Sequence, residues 1–397
     1  MLVAGAGPVG LTSAFALARA GIASTVLERA SGIAEDLRAS TWHPPTLDMM
    51  AGLGLAGEMI RAGLVARHTQ HRDRRSGAIA EFDMELLRGE TEHPYRLQYE
   101  QFKYTRLLYA RLQSLPHCTV RFGAKVGRVT QTADQVKVGI ETATGEEMIE
   151  GDYLIGADGA WSAVRRSVGI EFEGLTFPER FFVATTEFDF ARVMHRLSYV
   201  NYIADPQEWC VLLRVPGSWR CLFPVTENAP EDESDDSVVS DQRTEARLQG
   251  VWARREHYQT IHRSIYQVHQ RVAKRYRAGR VFLAGDSAHL NNPLGGMGMN
   301  GGLHDALNLC GKLIAIHRGE ADQALLERYE RQRRPVAIEY INANTARNRQ
   351  VMQEHDPEAR RRKQEELCRQ AEDPVAAKAF LMKSSMIEAL RASERIA

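Results

Sequence analysis

The run Gly5-Ala6-Gly7-Pro8-Val9-Gly10 constrains this chain more than any other six residues. It follows the apolar segment Leu2-Val3-Ala4 and opens an Ala- and Leu-rich stretch, Leu11 to Ala20, that reads as a helix. Gly21 suits the position after a helix end. Ala23 to Leu27 reads as a second strand, ending in Glu28. Strand, glycine turn, helix and acid-terminated strand together open a doubly wound α/β fold. A lone G-x-G-x-x-G is weak evidence, and here the context supplies what the fingerprint demands. Gly5 permits the tight turn, Gly7 lets backbone N–H groups approach a pyrophosphate, and Gly10 lets helix and strand pack closely. The helix N-terminus favours phosphate. Glu28 is placed to accept hydrogen bonds from an adenosine ribose, with Arg29 beside it. The competing reading is a glycine turn with no nucleotide.

Two later stretches have the same strand-then-glycine character. Asp152 to Gly159 (DYLIGADG) runs into Ala160-Trp161-Ser162-Ala163-Val164-Arg165, a strand ending in Asp-Gly and then a helix start. Alone, Asp-Gly after a strand is a turn. Arg280 to His289 (RVFLAGDSAH) leads to Pro293, Gly295, Gly296, Gly298, Met299 and Asn300. Asp286 at a strand end suits a ribityl or ribose hydroxyl. The glycines let a flat ring lie against backbone, and a helix starting near Met299 aims its N–H groups at that ring. A reduced flavin carries negative charge near N1 and O2, which a helix N-terminus stabilises. His289 follows the strand end too closely to reach far into a pocket and reads as structural.

Between these stretches, Thr46 to Ala62 and Gln101 to Leu115 read as helices. Val120 to Val129, Val136 to Thr142 and Met148 to Ile155 read as strands, with a hairpin turn at Thr144-Gly145. Residues 181–225 are β-rich, with a turn at Pro216-Gly217. Glu227 to Asp241 reads as a solvated loop. Beyond Leu325 the pattern is helical and charged, and Arg360 to Lys363 beside Glu365 and Glu366 reads as a solvated face or dimer contact. The apolar Phe380, Leu381, Met382, Met386 and Ile387 imply docking on the body or on a second subunit, so a homodimer is one expectation.

Lys and Arg balance Asp and Glu at 51 each, so no charge excess points to nucleic acid or an acidic membrane. Five scattered cysteines without a C-x-x-C pair argue against a disulfide framework or zinc site and suit the cytoplasm. No metal is expected. No apolar run reaches the roughly eighteen residues a membrane span needs. A first strand of only Met1 to Ala4 is short, which leads one to expect residues upstream.

Taken together, GAGPVG with Glu28, GADGAWSAVR and GDSAHLNNPLGGMGMN resemble the single-component FAD-dependent aromatic hydroxylases, whose prototype is 4-hydroxybenzoate 3-hydroxylase. The resemblance covers roughly residues 1–340. It implies a Rossmann-like FAD domain, an inserted β-rich substrate domain and a C-terminal helical part. The corresponding boundaries are 1–75, 100–170 and 270–335 for the FAD domain, 76–99 and 171–269 for the substrate domain, and 336–397 for the helical part. The resemblance also implies that NADPH or NADH reduces FAD, and that O2 then gives a flavin hydroperoxide that hydroxylates an electron-rich ring. On this basis Gly5, Gly7, Gly10, Glu28 and Arg29 serve the ADP half, and Arg38 and Gln101 the pyrophosphate side. Asp158 and Arg165 lie in the stretch that meets both FAD and nicotinamide. Asp286 holds the ribityl, Gly298, Met299 and Asn300 line the isoalloxazine, and Pro293 sits beside the substrate ring.

Arg220, in Arg214 to Pro224, matches an arginine that packs on the flavin and helps it swing out. Its competing reading is a surface strand arginine, because strand register is open. The prototype's substrate-grounding tyrosines and serine are not at clear positions. The stretch Ser40 to Leu47 instead resembles hydroxylases of other phenols and related heteroaromatics. Candidate phenol activators and substrate contacts are His43, Tyr199, Tyr202 and Arg214, with His43 as the candidate base. An oxidative tailoring enzyme on a polycyclic or quinone-related substrate and a non-catalytic FAD-binding protein remain as alternatives.

Overall fold

The computed structural model describes residues 1–35, 37–225, 235–341, 354 and 356–397. Its first layer is a six-stranded sheet in the order Arg277–Ala278, Val281–Leu283, Leu154–Gly156, Leu2–Ala4, Ser24–Leu27, Cys118–Arg121. All neighbours run parallel except the first pair. Parallel strands are buried on both faces, and Leu2, Val3, Ala4, Leu154, Ile155, Val281, Phe282 and Leu283 are all in the core. Helices Pro8–Arg19, Gln101–Gln113 and Gly298–His317 bury their apolar faces in that same core.

A second sheet has eight strands: His289–Leu290, Thr260–Ala273, Phe172–Thr186, Ser218–Val225, Cys210–Val215, Val200–Ala204, His68–Asp73 and Gly77–Asp83. Both its faces are apolar. Phe182, Ile203, Leu212, Cys221 and Phe223 point to one side. Phe181, Tyr202, Val211 and Leu222 alternate with them and point to the other, where they meet Leu294. A small sheet, Thr41–Trp42, Arg96–Gln98 and Leu64–Ala66, is antiparallel throughout and joins the two layers. Helices Pro357–Glu372, Pro374–Ser384 and Ile387–Glu394 dock Leu367, Phe380, Leu381 and Ile387 on Phe82, Met84 and Leu87 of the body. The basic run of the first of these helices pairs with its own acids, Arg361 with Glu365 and Arg362 with Glu358, while Arg360 pairs with Asp73.

Several expected elements divide. Thr46 to Ala62 is two helices, Pro44–Gly52 and Ala56–Ala62, broken at Gly54 with φ +75°. Val120 to Val129 is two strands, Cys118–Arg121 and Lys125–Gln131, in different sheets, with Gly123 at φ +66° between them. Met148 to Ile155 likewise spans Gly145–Gly151 and Leu154–Gly156. Periodicity gives a strand's alternation but not a change of sheet within it. The expected boundary at 75/76 falls between His68–Asp73 and Gly77–Asp83, which are paired strands of the eight-stranded sheet. Of the expected solvated loop, Asp235–Val238 is helical and Asp241 opens the helix Asp241–Val251. Residues 227–234 lie outside the described residues.

Candidate active site

The three glycine-bearing stretches meet at the carboxyl ends of the parallel strands. Gly5 has φ +99°, and a Cβ there would lie 2.4 Å from the Ala157 carbonyl oxygen. Only glycine lets the first turn rest on the second stretch. On the other side, a Cβ on Gly302 would lie 2.7 Å from Val9 Cγ2 and 2.9 Å from Gly285 Cα. The helix after the third stretch is therefore in direct contact with the first turn.

Helix Pro8–Arg19 starts at Gly7 with no side-chain cap and no acid in its first turn, which leaves its N-terminal N–H groups for an anion. Glu28 stands beside the turn, its carboxylate accepting from Ala6 N at 2.7 Å and Ala30 N at 2.9 Å. Arg29 is exposed. Asp158 accepts from Val164 N at 3.1 Å through Oδ2, while its Oδ1 is buried without a partner. Arg165 braces the second stretch against the third. Its guanidinium donates to Ser287 O and Ala160 O, both at 2.8 Å, and lies 3.8 Å from the centre of the Phe172 ring.

Asp286 is solvent-exposed, yet its surroundings raise its pKa through desolvation, opposed by His289 and Arg38. Arg38 and His289 are the charged groups near this carboxylate. Gln101 begins its helix against the same loop, its N–H donating to Ala39 O at 2.9 Å. Helix Gly298–His317 also begins without a side-chain cap. Gly298 and Met299 are half-buried at that end. Asn300 is fully buried, and its side chain is spent on backbone: Oδ1 accepts from His43 N at 3.0 Å, and Nδ2 donates to Thr41 O at 2.9 Å and Gly296 O at 2.8 Å. It fixes the loop, so its side-chain amide is spent and not turned to the expected lining role.

The open carboxylate oxygen of Asp158, the two uncapped helix ends and the exposed Asp286 suit a phosphate-bearing, hydroxyl-rich, flat cofactor. FAD has these features, and the residues present fit it. A separate groove lined by Met1, Ser24 and His117 lies at the opposite, amino-terminal edge of the parallel sheet and contains none of these residues.

A family model described as FAD binding domain matches residues 1–344. Para-nitrophenol 4-monooxygenase of Pseudomonas sp. (strain WBC-3) is 31% identical over 406 residues, spanning 100% of this chain and 97% of the relative. 6-Hydroxy-3-succinoylpyridine 3-monooxygenase of Pseudomonas putida (strain DSM 28022 / S16) is 33% identical over 352 residues, spanning 88% and 87%. The crystal structure of p-nitrophenol 4-monooxygenase from Pseudomonas putida DLL-E4 superposes with a TM-score of 0.92 at 31% identity, covering 98% of this chain and 97% of that one.

The chain belongs to the FAD-dependent aromatic hydroxylases. It is an enzyme, a flavin monooxygenase, and the reading as a non-catalytic FAD carrier is set aside.

In this hydroxylase the two readings of Arg220 separate. Arg220 lies on the inner face of the eight-stranded sheet, buried, and donates to the carbonyls of Leu37 and Arg38. It ties the sheet to the loop that carries Arg38. Tyr202 is on the same inner face, its ring stacked 5.1 Å from that of His71. Tyr199 and Arg214 are not brought to this inner face. They pair across neighbouring strands on the outer face, where Arg214 donates to Asp189 at 2.7 Å and lies over the Trp219 ring. Pro293 is half-buried in the loop beside Leu294.

His43 is wholly buried, and its Nε2 donates to Gly295 O at 2.8 Å. Burial, then the nearby Arg96 and His304, holds its pKa well below the usual histidine value despite the bonds to Gly295 and Gly296. A group so held stays neutral and stores a proton poorly, which weighs against the expected base role. Three groups escaped the sequence reading: Arg96, Gln98 and the Asp305–Arg333 pair. The signal available for the first two was the alternation in Arg96-Leu97-Gln98-Tyr99, which looks like a half-exposed strand but is buried on both sides. Among the described residues no helix is long and apolar enough to cross a membrane.

Proposed function

We propose that this flavin monooxygenase takes a single-ring phenol or hydroxylated heteroaromatic as substrate, with NADH or NADPH as electron donor and O2 as oxidant. The observation that carries the reading is the wall of Phe181, Tyr202, Val211, Leu222 and Tyr266 closing over Leu294 of the 291–297 loop. That wall is apolar and aromatic, the chemistry that holds a flat ring and keeps water from it. The names of the nitrophenol and succinoylpyridine relatives specify one aromatic ring.

When bound, FAD supplies reduction by the nicotinamide and activation of O2, the chemistry no side chain here can perform. The chain positions and shields. Gly7 and the helix behind it hold the pyrophosphate, Glu28 the ribose, and Asp286, with Arg38 near it, the ribityl side. Arg220 keeps the ring-binding sheet tied to the Arg38 loop. The apolar wall excludes water from the reacting faces.

The test uses the FAD-loaded enzyme with NADH or NADPH, labelled dioxygen and a panel of monocyclic phenols and hydroxypyridines. The expected result is ring-dependent nicotinamide oxidation with one labelled oxygen in the product. If no ring of the panel speeds nicotinamide oxidation or gains an oxygen, the reading is wrong.

A further inference from the structure

The small sheet that joins the two layers carries a polar face that the cofactor chemistry does not use. Its pairing sets Thr41 opposite Gln98 and Trp42 opposite Leu97. The next residues outward on the two segments are His43 and Arg96, and the Arg96 charge lies close enough to act on His43. Thr41 and His43 on one chain segment therefore share a face with Gln98 and Arg96 on the other, while Trp42 and Leu97 enter the core behind. Side chains opposite each other in such a pair have Cβ atoms roughly 5 Å apart, so the four groups form one compact patch.

The contacts bear this out. Thr41 Oγ1 donates to Gln98 Oε1 at 3.1 Å, which turns the Gln98 amide nitrogen away from Thr41. A Cβ on Gly296 would lie 3.2 Å from Thr41 and 3.8 Å from His43 Nε2, so the 291–297 loop lies against the same face. The guanidinium of Arg96 reaches Tyr202 OH at 3.4 Å and Ser384 O at 3.2 Å. It thus stands at the seam with the ring-binding wall.

Three atoms of this patch are buried without partners: Arg96 Nε, Gln98 Nε2 and His43 Nδ1. Their residues are 3%, 0% and 0% exposed, so bulk solvent does not reach them. Among the described residues Arg96 forms no ion pair, and its two hydrogen bonds are long and to neutral oxygens. A buried cation held in this way has a large desolvation penalty, which an incoming anion would offset. The two open donors and one open acceptor match the oxygen of an ionisable phenol. As phenolate it accepts from Arg96 and Gln98. As phenol it donates to the neutral imidazole of His43.

We propose that Arg96 and Gln98, with His43 Nδ1 beside them, bind the phenol oxygen of the substrate and select its ionised form. Arg96 is the specificity-determining residue, and acidic phenols are the preferred class. The inference rests on the hydroxylase reading above.

The test compares wild type, Arg96→Gln and Gln98→Leu, each with FAD bound. The probes are 4-nitrophenol, phenol and the O-methyl ether of 4-nitrophenol, read as dissociation constants by flavin absorbance. Loss of a charged, buried hydrogen-bond partner predicts binding of 4-nitrophenolate weaker by about tenfold to hundredfold in Arg96→Gln. Gln98→Leu should lose about threefold to tenfold, a neutral bond's share. Binding of the O-methyl ether should change less than twofold in both. Equal losses for the ether and the phenolate, or none for either, overturn the assignment. So does a shift in the midpoint potential of the phenol-free flavin with phenolate affinity intact, because the anion would then be the reduced flavin. If Arg96→Gln does not fold, the Gln98→Leu comparison decides by the same criteria. Wild-type enzyme that binds no phenol refutes the function. Wild-type enzyme that binds phenols, with variants that bind them equally well, refutes only this inference.

Discussion

Asp305 Oδ1 accepts from Arg333 Nε at 2.7 Å, and both side chains are at most 1% exposed. The other carboxylate oxygen takes His289 Nε2 at 2.7 Å and Gly285 N at 3.1 Å. One buried anion thus joins the cofactor loop, the helix Gly298–His317 that follows it, and the helix Glu327–Pro335. Removing Arg333 leaves that anion without its full-time cation, a change that costs about 3–5 kcal/mol in buried pairs. Arg333→Ala is expected to lower urea stability by that order and to reduce the FAD content of purified protein. Unchanged stability would show that the pair is not holding the loop.

The same carboxylate sets an acid limit. His289, Arg333 and their hydrogen bonds outweigh desolvation and bring its pKa from an ordinary 3.8 to about 2. A depressed folded-state pKa stabilises above the unfolded value and loses that contribution as pH falls towards the folded one. Melting temperature should therefore fall between about pH 4 and pH 2. Asp305→Asn should start lower and show a shallower slope across that window.

The contact of Gly302 with Val9 and Gly285 leaves no room for a methyl group. Gly302→Ala must push the helix from the first glycine turn, at a cost of about 1–3 kcal/mol for overpacking. The expected phenotype is a folded protein with weakened FAD binding, measured as the flavin-to-protein absorbance ratio and by titration of the apoprotein.

Arg165 spans Ser287 O and Ala160 O while stacked on Phe172. A lysine keeps the charge but offers neither the fork nor the plane. Arg165→Lys should weaken FAD binding by about tenfold, the equivalent of one charged hydrogen bond. An FAD affinity equal to wild type would mean that the second and third stretches keep their relative position without the brace.

Because burial, Arg96 and His304 hold His43 neutral, kcat/KM should not follow a histidine titration near its ordinary value. It should rise with the phenol's own ionisation, so that the apparent pKa moves as the ring substituent is changed. A limb near pH 6.5 that stays fixed across phenols would instead assign the proton to a protein group.

Much of the cofactor half was legible because its chemistry is local. Gly5 needs positive φ, Glu28 ends the next strand, and the Asp-Gly and Gly-Asp turns follow apolar strands, all within short windows of sequence. The half that holds the eight-stranded sheet was not. Arg214, Arg220, Tyr199 and Tyr202 look alike as polar or aromatic residues in alternating strands. A period of two divides a strand into two faces without saying which face turns to the cofactor. Both faces of this sheet are buried, so even hydrophobicity gives no sign.

The sequence by itself determined a dinucleotide fold, its three glycine-bearing stretches and, through the motif set, the hydroxylase family. Only the tertiary structure decided that Arg220 and Tyr202 turn inward while Arg214 and Tyr199 turn out. It also decided that Arg96 and Gln98 come to stand beside His43, more than fifty residues earlier in the chain. The physical reason is that local backbone requirements are written in neighbouring residues, whereas the partner of a buried charge is set by which strands pair and in what register.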